Sequence, residues 1–248
     1  MKKNKTIKFS MIALAAAMLS AAACTPAAAN VQLPSAAVVV ESQDIAESQV
    51  HANLAIDANA DLSEAEVAGL LFMREEEKLA GDVYRYLYNL WGSAVFQNIA
   101  GSEDMHTESV LALMNAYGIA DATPAQAGQY SNADLQALYA QLTAQGSQSL
   151  QDAFLVGAAI EEIDILDLES RMVQTGNADI LLVYENLVSG SENHLRAFVR
   201  VIENQMRQAY SPQYMTQAQY DAIMAGANGA GSGIGGQGFG QGNGAGKP

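Results

Sequence analysis

Residues 95–117 carry an apolar stripe with two polar interruptions. Phe96, Ile99, Glu103, His106, Val110, Leu113 and Tyr117 recur at alternating steps of three and four, the period of one face of an amphipathic helix. Glu103 and His106 therefore fall where the pattern calls for side chains that leave water. A buried carboxylate is too costly to stand without a cation, a proton or a hydrogen-bond network. Glu-x-x-His on an inward helix face is also the unit from which dinuclear carboxylate sites are built in helical bundles. This single turn favours folds that wrap helices around a polar layer.

The flanking sequence supplies such helices. Ser63 and Glu66 form a capping box opening a helix that runs to about residue 90, with Gly92 as its stop. The second helix ends at Tyr117 before Gly118, and residues 119–132, with Pro124, Gly128 and Asn132, read as loop. A short helix over 133–145 is closed by Gly146, a third long helix covers 150–174 before Gly176, and a fourth covers 178–208. Pro212 interrupts the pattern, and residues 216–225 form one more short helix. No segment alternates as a strand does. The expected fold is all-α: a ferritin-like four-helix bundle. About 30 residues between the second and third long helices exceed an antiparallel turn and are enough to cross the bundle, carrying the short extra helix.

Each of the other long helices also brings polar groups inward. On the first, Met73, Glu77, Ala80, Tyr84 and Tyr88 form one stripe and Phe72, Glu76, Leu79, Val83 and Leu87 its neighbour. The second of these is more apolar, so periodicity leans to Glu76 and leaves Glu77 open. On the third, Glu161 shares a face with Phe154, Ala158, Ile165, Leu168 and Met172, and Asp164 lies one turn on. On the fourth, Ile180, Tyr184, Leu187, Ser191, His194 and Phe198 share a face. Two of the chain's three histidines thus point inward beside carboxylates; His51 falls in a tether. Mixed carboxylate and imidazole donors without thiolate suit iron or manganese, with zinc as a further fit.

The ends frame this domain. A basic start, Met1-Lys2-Lys3-Asn4-Lys5, precedes an apolar run over 11–23, too short for a membrane span and read as a signal peptide, residues 1–23. Ala21-Ala22-Ala23-Cys24 resembles a bacterial lipobox, with Ala21 where leucine is usual; cleavage after Ala29 is the competing reading. Either reading places the protein outside the cytoplasm, in the cell envelope, with membrane attachment only through Cys24. Residues 24–60 read as a tether, 61–210 as the bundle, 211–225 as a short helical region and 226–248 as a Gly-rich disordered tail. Cys24 is the sole cysteine, so no intrachain disulfide or cysteine metal site forms. Twelve Lys and Arg against 27 Asp and Glu give a net charge of −15, which argues against nucleic acid and attracts cations.

At the level of motifs the chain resembles known proteins. Glu77-Lys78-Leu79-Ala80-Gly81-Asp82-Val83-Tyr84 is similar to the Glu-x-x-Ala-x-Asn-x-Tyr pattern of rubrerythrins and bacterioferritins, and Ser102-Glu103-x-x-His106 to their Glu-x-x-His. Glu75-Glu76-Glu77-Lys78-Leu79-Ala80, Glu161-Glu162-x-Asp164-Ile165 and Asn193-His194-Leu195-Arg196-Ala197-Phe198 resemble an uncharacterised prokaryotic ferritin-like family more closely, over about residues 65–208. The resemblance implies two metal ions, iron first. It moves the first-helix choice to Glu77, makes Glu77 and Glu161 terminal ligands, Glu103 a bridge and His106 and His194 one ligand each, and adds Asp164. Tyr84 would supply a hydrogen bond or an electron. One departure stands out: Ser191 occupies the position where those families place a second glutamate. Glu192 lies about 100° around the helix and needs a bulge after Gly190 to turn inward.

Three functions follow as expectations. The first is a ferroxidase or peroxide-reducing protein acting on dioxygen or peroxide, without the cysteine-rich relay domain of rubrerythrins. The second is a metal-binding or buffering protein without turnover, which Ser191 favours. The third is a metal-free helical adaptor. The substrate, electron donor and oligomeric state are left open.

Overall fold

The computed structural model describes Ile56 and residues 61–226. The signal peptide, Cys24, His51 and the Gly-rich tail fall outside these residues, as does the tether apart from Ile56. The regular secondary structure of the described residues is entirely helical.

Helix α1 (Glu64–Trp91) opens on the expected capping box: the Ser63 hydroxyl accepts from Glu66 N–H, and the Glu66 carboxylate accepts from Ser63 N–H at 2.8 Å. It ends at Gly92, whose φ of 69° is left-handed and whose N–H bonds Tyr88 O at 2.7 Å. Helix α2 (Ala94–Ala116) starts after only two residues, so the chain folds straight back. The crossover carries α3 (Ala133–Gly146), capped by the Asn132 side chain. Helices α4 (Leu150–Met172) and α5 (Ala178–Gln205) are capped by Ser149 and Asn177, and α6 (Gln217–Gly226) closes the described chain.

Side-chain contacts give the topology. Tyr117 OH, at the end of α2, donates to Asp179 at 2.9 Å at the start of α5. Trp91 Nε1, at the end of α1, donates to Gly146 O at 2.9 Å, just before α4. Helices α2 and α4 therefore run parallel, and the chain between them must traverse the bundle. Buried acids fasten that crossover. Glu75 accepts Ser131 and Asn132 N–H at 2.7 and 2.8 Å, and Asp82 accepts Gly128 N–H at 3.0 Å and Tyr130 OH at 2.9 Å.

The core is divided by a polar layer. Above it, Tyr84, Phe96, Phe154 and Phe198 pack with ring centroids 5.2–5.7 Å apart for three of the pairs. Phe198 lies so close to Gly157 that a Cβ there would overlap its ring. Below it, Leu70, Met73, Leu113, Met114, Leu168 and Leu187 form the second cluster. On all four long helices, the intervening turns carry Glu77, Glu103, His106, Glu161, Asp164, Ser191 and His194, each 5 % exposed or less.

Helix ends depart modestly from the expected bounds. Helix α5 stops at Gln205 rather than 208, because Arg207 adopts φ 57°, which no α-helix accommodates. Helix α4 stops at Met172 rather than 174, with Val173 N–H and Gln174 N–H turning back to Glu169 O and Arg171 O. No helix among the described residues is long and apolar enough to cross a membrane.

Candidate metal centre

The polar layer is organised about Glu103. Its Oε2 lies 3.0 Å from His106 Nδ1 on its own helix, and its Oε1 lies 3.0 Å from His194 Nδ1 on α5. A further carboxylate meets each histidine at the same nitrogen. Glu77 Oε2 is 3.3 Å from His106 Nδ1, and Glu161 Oε2 is 3.5 Å from His194 Nδ1. Two carboxylates thus converge on each Nδ1, and the two imidazoles stack at 5.4 Å between centroids. Among the described residues, Glu103, His106 and His194 are the set whose ligand atoms all lie within 4.8 Å of one another.

Register explains the convergence. Glu103 and His106 are one turn apart on α2, so their side chains project from the same stripe. Gly81 on α1 faces this turn: a Cβ there would sit 3.4 Å from Glu103 Cβ, an ordinary contact, and 3.1 Å from Arg85 Nη1. Tyr84, one turn beyond Ala80, donates its hydroxyl to Glu161 and to Gly157 O, the latter at 3.2 Å.

The electrostatics follow from burial and close charges. Burial opposes ionisation of Glu103, but His106 and His194 outweigh it and hold its carboxyl below the usual range. Burial would neutralise His194, yet Glu161 and Glu103 raise its pKa to about 10. Glu77 is pushed up to about 7 by burial, against the pull of His106. Burial likewise raises Glu161, and it raises Asp164 well above the usual carboxylate range with help from Glu77.

The other expected residues fall in different places. Asp164 reaches the edge of the layer, where Ser191 Oγ donates to its Oδ2 at 2.5 Å; its Oδ1 has no hydrogen-bond partner. Helix α5 runs α-helical through Gly190, so no bulge turns Glu192 inward. Glu192 instead accepts from Arg196 Nη2 at 2.6 Å, one turn along the surface, and is not brought to the cluster. Between the first-helix alternatives, Glu77 faces His106, while Glu76 faces a separate cavity beside Asp164.

The donor set fits a metal of the iron or manganese type. Glu77 Oε1 and Glu103 Oε1 are buried without a hydrogen bond, and His194 Nδ1 approaches two carboxylates without hydrogen-bond alignment to either. Buried polar atoms left so are rare in native interiors. Oxygen and imidazole donors with no thiolate suit iron or manganese.

Two functional features escaped sequence reasoning. The Ser191–Asp164 bond was signalled only by a serine at an inward register position opposite an inward acid. Glu162, fully buried, accepts Tyr210 OH at 2.5 Å and N–H groups of Gln213, Tyr214 and Met215 at 2.6–3.1 Å, pinning the chain after α5 against α4. Its signal was the second acid of the Glu161-Glu162 pair, which cannot face the same way as the first.

Fold and site together define a class: an all-α bundle enclosing a buried glutamate–histidine layer with metal-ligand composition. The chain belongs to DUF2202, an uncharacterised protein domain family whose model matches residues 66–227. It is 47% identical over 165 residues to the uncharacterized protein MJ0754 of Methanocaldococcus jannaschii, covering 66% of this chain and 89% of that protein. The crystal structure of hypothetical protein MJ0754 matches with a TM-score of 0.65 at 46% identity, covering 67% of this chain and 95% of the other.

Proposed function

We propose that this bundle binds two metal ions, iron first, in a dinuclear carboxylate centre, and that the loaded centre reacts with dioxygen or peroxide. One observation carries the reading: the two oxygens of Glu103 each face the Nδ1 of a different histidine at 3.0 Å. A carboxylate so placed would serve two ions, one of which Glu77 and His106 would hold and the other Glu161 and His194. Asp164, presented by Ser191, supplies from α4 a carboxylate that α5 lacks.

Such a centre, when loaded, supplies two adjacent redox ions that share an oxidation. The chain's own residues do the remaining work. The apolar clusters above and below the layer limit access of water and fix the ligands. Burial and the negative charge of Glu161 hold the proton on the Tyr84 hydroxyl, which orients that carboxylate as a donor. A signal peptide and a lipid anchor at Cys24 would place this chemistry in the envelope.

A second reading, metal binding without turnover, is favoured by one observation: the bridging position on α5 is Ser191, committed to Asp164 and to Leu187 O at 3.0 Å. Anaerobic loading of the full chain with ferrous iron, followed by mass spectrometry, tests the dinuclear claim. Two irons per chain, both lost in Glu103→Ala, are expected. Oxygen uptake on aeration then separates turnover from storage without chemistry, and no specific iron rejects both readings.

A further inference from the structure

The three consecutive acids of α1 have different fates. Glu75 accepts two backbone N–H groups and Glu77 faces His106. Glu76 is only 5 % exposed, yet no N–H or hydroxyl group donates to either of its oxygens, and the group within hydrogen-bond reach is another acid, Asp167. It looks into a cavity of about 10 Å³ between α1, α3 and α4, walled by Leu79, Leu138, Leu142 and Ile160, with Asp164 as the other polar residue on its lining. Space of that size holds about one water-sized body.

The charged neighbours of Glu76 are mostly acids. Asp167 and Asp164 both act on it through their negative charge, and Asp164 Oδ1 is itself unpartnered. Among the charges acting on it, the cation is Arg171, whose guanidinium lies over the Phe72 ring at 4.1 Å and makes no hydrogen bond to Glu76. Lys78, two residues on, is committed to Asp82 at 2.7 Å and Gln126 O at 3.1 Å. Carboxyl groups converging on a partly open cavity without a donor leave hard, anionic oxygens available there.

We propose that Glu76 and the unpartnered oxygen of Asp164, with Asp167 beside them, form a second divalent-cation subsite in this cavity. It shares Asp164 with the centre proposed above and uses none of its histidines. An all-oxygen donor set is the kind that Mn²⁺ and Mg²⁺ take. The subsite is then chemically distinct from the imidazole-bearing layer next to it.

The test is Mn²⁺ binding to the full chain stripped of metal, followed by electron paramagnetic resonance of free Mn²⁺, with and without excess Mg²⁺. The parent should show one equivalent that Mg²⁺ displaces. Glu76→Gln should weaken that equivalent about tenfold or more and leave the others. His106→Ala/His194→Ala should remove the others and leave that one. Glu76→Gln is isosteric and relieves a buried acid, so its metal-free melting temperature should match or exceed the parent's. Were it lower, Asp167→Asn, which leaves the carboxylates of the histidine layer in place, reads the same Mg²⁺-sensitive equivalent. Unchanged Mn²⁺ count and affinity in Glu76→Gln overturns the subsite and leaves a proton shared among the acids. Loss of the same equivalents in both variants also overturns it, making Glu76 a ligand of the histidine layer. Loss in Glu76→Gln with no effect of the histidine changes sustains the subsite and refutes the dinuclear reading.

Discussion

Ser191 Oγ donates to Asp164 Oδ2 at 2.5 Å, joining α5 to α4 inside the polar layer. The serine thereby holds a carboxylate from the facing helix in the region where a glutamate on α5 would otherwise project. Ser191→Ala removes the donor from a fully buried acid, at a cost of about 1 kcal/mol. Calorimetry should register that loss, and metal titration should show weaker binding. A Ser191→Glu/Asp164→Ala exchange, which returns the carboxylate to α5, should recover binding that Asp164→Ala alone loses.

The metal-free layer and the loaded layer should respond to pH in opposite directions. Glu77 titrates near 7 when folded against an ordinary 4.5. Its contribution to stability is fully present below about 4.5 and is lost as pH rises through about 7. The raised carboxyls of Glu161 and Asp164 act in the same sense. His194, raised to about 10, contributes fully below its ordinary 6.5 and loses that contribution only as pH rises through 10. Glu103, depressed, loses its contribution only in acid. The melting temperature in chelator should therefore fall between pH 5 and 8. Metal requires Glu77 ionised, so the rise in melting temperature on adding Mn²⁺ should be larger at pH 8 than at pH 5.

Gly157 is required by packing. A methyl group there would overlap the Phe198 ring, which is wedged against Tyr84 and Phe96. Helix propensity favours Gly157→Ala by up to about 1 kcal/mol, but overpacking costs about 1–3 kcal/mol. The variant should unfold at lower denaturant concentration. It should also shift the Tyr84–Glu161 contact, which shares Gly157 O as an acceptor.

Much of this arrangement was legible in the sequence. The stripe from Phe96 to Tyr117 set the register of α2, and Ser63, Gly92 and Gly118 marked helix ends where the structure has them. The choice among Glu75, Glu76 and Glu77 was not legible from periodicity. All three are buried, 100° apart, each against a different partner: the crossover, an acid-lined cavity and His106. An apolar stripe identifies burial but not what the buried group meets. Glu192 shows the same limit in reverse, since its surface pairing with Arg196 depends on an unbroken helix. The Asp164–Ser191 pair required knowing which helices face each other.

Glu162 should control the C-terminal segment without disturbing the centre. Its carboxylate is the acceptor for three successive backbone N–H groups and for Tyr210. Glu162→Ala should release the segment beyond α5, exposing the chain around Arg207 to trypsin many-fold faster while metal binding persists. Equal cleavage rates would contradict that assignment.

The bridging role of Glu103 is tested most directly by anomalous diffraction from crystals loaded anaerobically with ferrous iron, measured at the iron edge. The account predicts two peaks about 3.5–4 Å apart, both in contact with the Glu103 carboxylate, one beside His106 and Glu77, the other beside His194 and Glu161. A single peak away from Glu103, or none in the layer, would contradict it.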